Sequence, residues 1–170
     1  MDGAIRQDET GGTQAAEGAS GYLDIDLGAL ARNYEKLAAE VAPARAAAVV
    51  KADAYGLGAA QVAPALYRAG CRHFFVAHLD EGIALRPLLA PDATVYVLHG
   101  ATPGAEPECV THGLVPVLNS LQQLDAWRRL AQGLDRELPA VLQVDTGMSR
   151  LGLPPDELDT VAADPARLQG

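Results

Sequence analysis

The chain is short of lysine. Of its 13 basic residues only Lys36 and Lys51 are lysines, and the rest are arginines. Basic charge is scarce altogether, because 22 acidic residues leave a net charge of −9 at pH 7. This acidic balance argues against a nucleic-acid partner, which would need a basic face to neutralise phosphates, so none is expected. No apolar run reaches the roughly 18 residues that a membrane-spanning helix needs, so no membrane partner is expected. The opening MDGAIRQDETGGTQAAEGASG contains no apolar stretch of the kind a secretory signal carries. Two cysteines, Cys71 and Cys109, are too few for a disulfide framework. With no export signal they are expected as reduced thiols in a cytoplasmic protein. Residues 1–20 lack large apolar side chains and are expected to form a disordered leader. Residues 21–170 are expected to form one ordered unit.

What the chain does have is alternation. Apolar or β-branched runs occur at 22–27, 46–54, 73–78, 94–100, 114–119 and 140–146. Stretches with helical spacing lie between them. In residues 28–42, Leu30, Tyr34, Leu37 and Val41 share a face. Residues 59–70 end at Gly70, a helix-stop signal. Residues 79–90 form a third helical stretch, and 120–134 open with Ser120 and Gln123 in capping-box spacing. Residues 155–163 place Pro155 in a first helical turn. Strand–helix repetition with short connections predicts an α/β fold with a parallel sheet. Both a doubly wound sheet and a (β/α)8 TIM-type barrel fit. No G-x-G-x-x-G follows the first strand, which removes the usual support for the doubly wound dinucleotide fold. Lys51, His78, His99, Asn119 and Asp145 all fall at or just past strand C-terminal ends, which converge on the catalytic rim of a barrel. A closed barrel takes roughly 200 residues or more. About six strands are countable in these 170 residues, so a partial barrel and a larger parent protein are expected.

The segment AVVKADAYGLG (48–58) carries the most chemistry. Apolar residues climb a strand and Lys51 stands at its exit. An amine there is partly desolvated, which makes it a usable nucleophile or base. Gly56 and Gly58 allow close backbone approach, and the helix start after them favours an anion such as phosphate. A lysine beside a phosphate site suits pyridoxal 5′-phosphate held as a Schiff base. A lone lysine on a loop is more often merely solvated, but arginine cannot form a Schiff base, and this chain uses arginine nearly everywhere else. Asp145 could cap a turn or pair with Arg150. His73 and His78 are five apart across a strand and so point to opposite faces, which is no metal pair. No zinc, EF-hand or P-loop spacing is present, and no metal is expected.

These motifs resemble the bacterial alanine racemase family. AVVKADAYGLG is similar to its cofactor-lysine motif, and LQVDTGMSRLGL (142–153) to its D-T-G-M-x-R-L-G signature. YLDIDLGALARNYEKL resembles its opening strand and helix, and HFFVAHLDEGIALR its F-x-V-A-x-x-x-E-x-x-x-L-R stretch. The resemblance implies a partial barrel of a pyridoxal-phosphate enzyme that interconverts L- and D-alanine, supplying D-alanine for peptidoglycan. It implies that Lys51 carries the cofactor and exchanges the α-proton on one face of the substrate. It implies that Tyr55 bonds the cofactor phosphate, and that Arg150, delivered by a loop shaped by Gly147 and Met148, approaches the substrate carboxylate. In the family the second acid–base group is a tyrosine from a C-terminal β domain of the partner subunit in a homodimer. That domain is absent from these residues, so the chain alone is expected to be inactive. One departure is Gln143, where many members have a carbamylated lysine whose charge supports the arginine. The alternative reading is a non-catalytic single-domain barrel of the cofactor-homeostasis type, which lacks a D-T-G-M-x-R-L-G segment. A metal-dependent D-amino-acid aldolase-like barrel and a purely structural α/β domain complete the field.

Overall fold

The computed structural model describes residues 20, 21 and 23–169. The leader expected over 1–20 lies, but for Ser20, outside them. Five parallel strands form one sheet: β1 (Ala48–Val49), β2 (His73–Val76), β3 (Thr94–Val97), β4 (Leu114–Leu118) and β5 (Val141–Leu142). Their spatial order is β1-β2-β3-β4-β5, with every neighbouring pair parallel. A doubly wound sheet reverses its strand order at a switch point, whereas this order runs one way, as the wall of a barrel does. Crossovers of a single hand then put all the connecting helices on one face.

Burial alternates along the strands accordingly. Phe74, Val76, Val95 and Val97 are buried, whereas His73, Phe75, Thr94 and Tyr96 are half-buried. The register pairs Val49 with Phe75 and Phe75 with Tyr96, which places these side chains in one row across the less covered face. Phe75 and Tyr96 stack there with ring centroids 4.6 Å apart. The covered face and its helices make the core, centred on the fully buried Phe74, Val95 and Val97.

The helices are α1 (Leu27–Glu40), α3 (Ala59–Arg68), α4 (Leu79–Leu85), α5 (Glu106–Thr111), α6 (Leu121–Gly133) and α7 (Pro155–Ala163). A short left-handed turn, α2 (Lys51–Tyr55), follows β1. Gly70, at φ +101°, closes the end of α3 as its spacing predicts.

Three expectations need correction, and one helix, α5, was not among the expected elements. Residues 23–26 join no strand: Leu23 is exposed, and Asp26 instead caps α1, its Oδ1 accepting the Ala29 N–H at 2.8 Å. On α1, Leu27, Leu30 and Tyr34 pack on the core, while Leu37 and Val41 are exposed, so the outer half of the helix overhangs. The Ser120 hydroxyl accepts from the Gln123 amide as a cap should, but the Gln123 side chain turns away to Asn119 and His99. Helix α5 falls in a stretch rich in proline and glycine, whose breakers hid it; Pro107 sits in its first turn, where a missing N–H costs nothing.

Below the strands, at their N-terminal edge, Arg72 and Asp92 pair at 2.8 Å and the Tyr67 hydroxyl donates to Asp92 at 2.6 Å. The Tyr67 hydrogen bond, more than the Arg72 charge, holds the Asp92 carboxyl below its ordinary range. This edge is built for cohesion, and the chemistry-bearing residues gather at the other.

Candidate active site

The C-terminal edge of the sheet collects the exits of all five strands. At the first, the Val50 N–H extends the ladder to the Phe75 carbonyl at 2.8 Å, and the chain then leaves the sheet at Lys51. The next four residues, Ala52, Asp53, Ala54 and Tyr55, all have φ between +50° and +56°. An L-residue held left-handed costs about 1–2 kcal/mol, so four in succession persist only where surroundings hold them. Three observations supply the hold. The Gly58 N–H bonds the Asp53 carbonyl at 2.9 Å, the Asp53 carboxylate accepts the Ala59 N–H at 2.7 Å, and the Glu81 carboxylate accepts the Ala52 N–H at 2.6 Å. Gly56 and Gly58, at φ +83° and +88°, lead out of the turn.

This turn brings Lys51 and Tyr55 together. The Lys51 Nζ lies 6.0 Å from the centre of the Tyr55 ring, a loose cation–π distance. Lys51 is half-buried and forms no ion pair among the described residues. Tyr55 is 65% exposed, with its hydroxyl unpartnered among those residues. An unpaired amine, partly withdrawn from water beside a free phenol, fits an aldehyde cofactor that also carries an anionic group.

The neighbouring exits are tied to one another. His78 and His99 stack with ring centroids 4.4 Å apart and planes 11° from parallel. The His99 Nδ1–H donates to the Ala77 carbonyl at 2.9 Å, which ties the β3 exit to the β2 exit. Asn119 donates through Nδ2 to the carbonyls of Leu98 and Val117, tying β4 to β3. Its Oδ1 is buried with no hydrogen-bond partner among the described residues, a costly state for a polar atom. No three His, Cys, Asp or Glu side chains among those residues converge as a metal site would require.

At the last exit the chain bonds itself into a loop. The Leu153 N–H donates to the Gln143 carbonyl at 2.8 Å and the Asp145 N–H to the Leu153 carbonyl at 3.0 Å. Asp145 caps the loop from inside, its Oδ1 accepting the N–H groups of Gly147 at 2.9 Å and Ser149 at 3.0 Å. Those amides, Ser149 first, hold its carboxyl below the ordinary range. The turn-capping role expected of Asp145 is therefore the one found, and among the described residues it forms no ion pair with Arg150. Arg150 and Met148 project from the loop, exposed. Neither Arg150 nor the half-buried Gln143 makes a side-chain hydrogen bond within the described residues. Arg150 and Lys51 thus share the C-terminal edge but stand at its opposite ends, with β2, β3 and β4 between them.

Sequence reasoning missed Glu81 and Asp53, which hold the lysine turn. The available signal was a Glu three residues after His78 at the start of a helix, the position from which a carboxylate reaches back to free amides.

Comparison with known proteins bears on what this edge does. The family model described as "Alanine racemase, N-terminal domain" matches residues 25–170. Over 141 residues the chain is 62% identical to an alanine racemase of Brucella ovis, covering 83% of this chain and 36% of that protein. It is 58% identical over 163 residues to a protein of Rhizobium johnstonii named "Alanine racemase, catabolic", covering 96% of this chain and 43% of that one. Among solved structures, the alanine racemase of Bartonella henselae with covalently bound pyridoxal phosphate superposes with a TM-score of 0.82 at 44% identity, over 85% of this chain and 40% of that one. The enzyme from E. faecalis gives 0.70 at 31% identity, over 82% of this chain and 38% of that one. The chain thus spans about two fifths of the length of these relatives.

Proposed function

The chain belongs to the alanine racemase family, matching its N-terminal domain, and from that premise we propose that it carries the cofactor-holding part of a pyridoxal 5′-phosphate-dependent racemase acting on alanine. The observation that carries this reading is the half-buried Lys51, unpaired among the described residues, at the mouth of the parallel sheet in a turn held against its own conformational preference.

Pyridoxal 5′-phosphate, when bound, supplies an electron sink for the charge left on the substrate α-carbon. Lys51 would hold it through Nζ, and the same nitrogen would then take or return the α-proton on one face of the substrate. Tyr55 would donate its hydroxyl to the phosphate, four residues along the same rigid turn. Arg150 would bind the substrate carboxylate through its planar fork of donors. The separation of Lys51 and Arg150 along the sheet suits this division of work. Eight strands at about 4.8 Å spacing and about 36° tilt close on a diameter of about 15 Å, and the first and fifth strands then face each other across the mouth. A lysine and an arginine on opposite walls of such a mouth would leave room between them for a cofactor and a small amino acid.

Gln143 cannot supply a negative charge to Arg150, so the orientation of that side chain would rest on the Asp145-capped loop alone. Racemisation needs a second acid–base group on the opposite face, and we assign none within these 170 residues. The chain alone is therefore expected to bind the cofactor without racemising alanine at an enzymatic rate. In the whole protein we place the activity in a cytoplasmic homodimer that supplies D-alanine for peptidoglycan; no helix among the described residues is long and apolar enough to cross a membrane. The relative named as catabolic keeps a role in alanine breakdown as the competing use.

The test is a titration of the chain with pyridoxal 5′-phosphate, followed by absorbance in the imine band, for the parent and for Lys51→Ala. A saturable band in the parent that vanishes in the variant is the expected result. A band of equal size in both would remove Lys51 from the role. D- and L-alanine incubated with the loaded chain should each keep their optical rotation.

A further inference from the structure

We infer that Glu81 is a positioning residue for Lys51, and that its carboxylate fixes the lysine turn to the exit of the neighbouring strand. The inference rests on the cofactor role proposed for Lys51 above. Glu81 lies in the first turn of α4, half-buried, and forms no ion pair among the described residues. Both oxygens are used. Oε2 accepts the Ala77 N–H at 2.6 Å and the His78 N–H at 3.0 Å. Oε1 accepts the Ala52 N–H at 2.6 Å.

The bonds on Oε2 are ordinary helix economy, because amides at a helix start lack partners within the helix and a carboxylate there satisfies them. The bond on Oε1 serves no need of α4. It reaches across 29 positions of sequence to the amide directly following Lys51. Ala52 is also the first of the four left-handed residues, at φ +50°. A charge-assisted hydrogen bond at that amide offsets part of the cost of the turn and settles the direction in which the chain leaves β1. One side chain therefore couples the backbone at Lys51 to the backbone at Ala77, whose carbonyl in turn holds His99. Without Oε1 the turn would sample right-handed conformations, and the Lys51 amine would lose its fixed approach to an aldehyde.

Glu81→Gln separates positioning from capping. A glutamine has one acceptor oxygen, and with that oxygen on the Ala77 and His78 amides its NH2 group faces the Ala52 N–H as donor against donor. The full chain is studied as parent, Glu81→Gln and Glu81→Asp; the aspartate keeps the charge but is one methylene too short to span both sites. Three quantities are read: amide exchange at Ala52 and Ala77, the thermal midpoint, and the pyridoxal 5′-phosphate concentration for half-maximal borohydride-trapped adduct on the Lys51 peptide. The expected result for Glu81→Gln is faster exchange at Ala52 with Ala77 still protected, and half-saturation raised about tenfold. Faster exchange at Ala52 with unchanged half-saturation would overturn the inference and leave Glu81 a helix cap. Unchanged exchange at Ala52 would overturn it as well. If Glu81→Gln does not fold, the same two readings on Glu81→Asp decide in the same way. A parent chain that takes no cofactor on Lys51 would defeat the functional reading alone, and exchange at Ala52 would still decide whether Glu81 holds the turn.

Discussion

Replacing Gly152 by alanine should damage the Arg150 loop more than any other single-methyl addition there. Gly152 has φ +103°, a region where L side chains are strained. A Cβ built on it would lie 2.6 Å from the Asp145 backbone nitrogen and 2.7 Å from the Val144 carbonyl carbon. Both neighbours are backbone, so no side chain can turn aside. Relief requires pulling apart the two strands of the loop, which carry the Asp145-to-Leu153 and Leu153-to-Gln143 hydrogen bonds. Leu153 is fully buried and resists that movement. Two hydrogen bonds at about 1 kcal/mol each and an unfavourable φ at about 1 kcal/mol give a loss near 3 kcal/mol. For a chain of this size that is a fall of about 10 °C in Tm. Gly147→Ala is the control, because its φ of +121° is equally unsuited to alanine but nothing lies within 4 Å of the added methyl. It should cost about 1 kcal/mol. Urea unfolding of both variants decides the matter. Equal losses would refute the collision and leave backbone strain as the whole effect.

The Asp145 cap should make the loop pH-dependent. Its carboxyl is depressed in the folded state, so its contribution is fully present above the ordinary carboxylate pKa of about 4 and is lost as pH falls through the lower folded value. Protection of the Gly147 and Ser149 amides, taken relative to their intrinsic exchange rates, should fall over that acid range in the parent, and Asp145→Asn should remove that fall. Burial, with Glu106 and Glu108 nearby, pushes the Cys109 thiol up to about 11. Alkylation of Cys109 at pH 8 should therefore be slow in the folded chain and fast in denaturant; rapid labelling of native protein would contradict that burial. Phe74→Ala should cost about 3–5 kcal/mol by chemical denaturation, since Phe74 is fully buried at the centre of the covered face.

The parallel α/β architecture was legible because the runs at 73–78, 94–100 and 114–119 alternate with helices of clear period, and periodicity reflects burial directly. Residues 23–26 misled because LDIDL alternates like a strand, although what decides a strand is a partner, and no segment among the described residues pairs with it. Leu37 and Val41 follow the helical period of α1 correctly, but a single sequence cannot say where the surface beneath a helix ends. The site was half legible. Lys51 follows β1 and Asp145 follows β5, as the apolar runs predict, and Arg150 lies farther along the loop that Asp145 caps. The left-handed turn after Lys51 was not foreseen, because alanine prefers the opposite hand and only tertiary hydrogen bonds reverse that preference. Glu81 falls on the glutamate of the F-x-V-A-x-x-x-E-x-x-x-L-R stretch, but its role was not legible, since its partner at Ala52 is distant in sequence.

The most direct measurement is peptide mapping of the chain after treatment with pyridoxal 5′-phosphate and borohydride. Lys36 and Lys51 are its only lysines, so each serves as the reference for the other. At limiting cofactor the label should sit on the peptide containing Lys51, with Lys36 essentially unmodified. Equal labelling of the two would mean that the amine at the sheet mouth has no special chemistry, and the account of the site would be wrong.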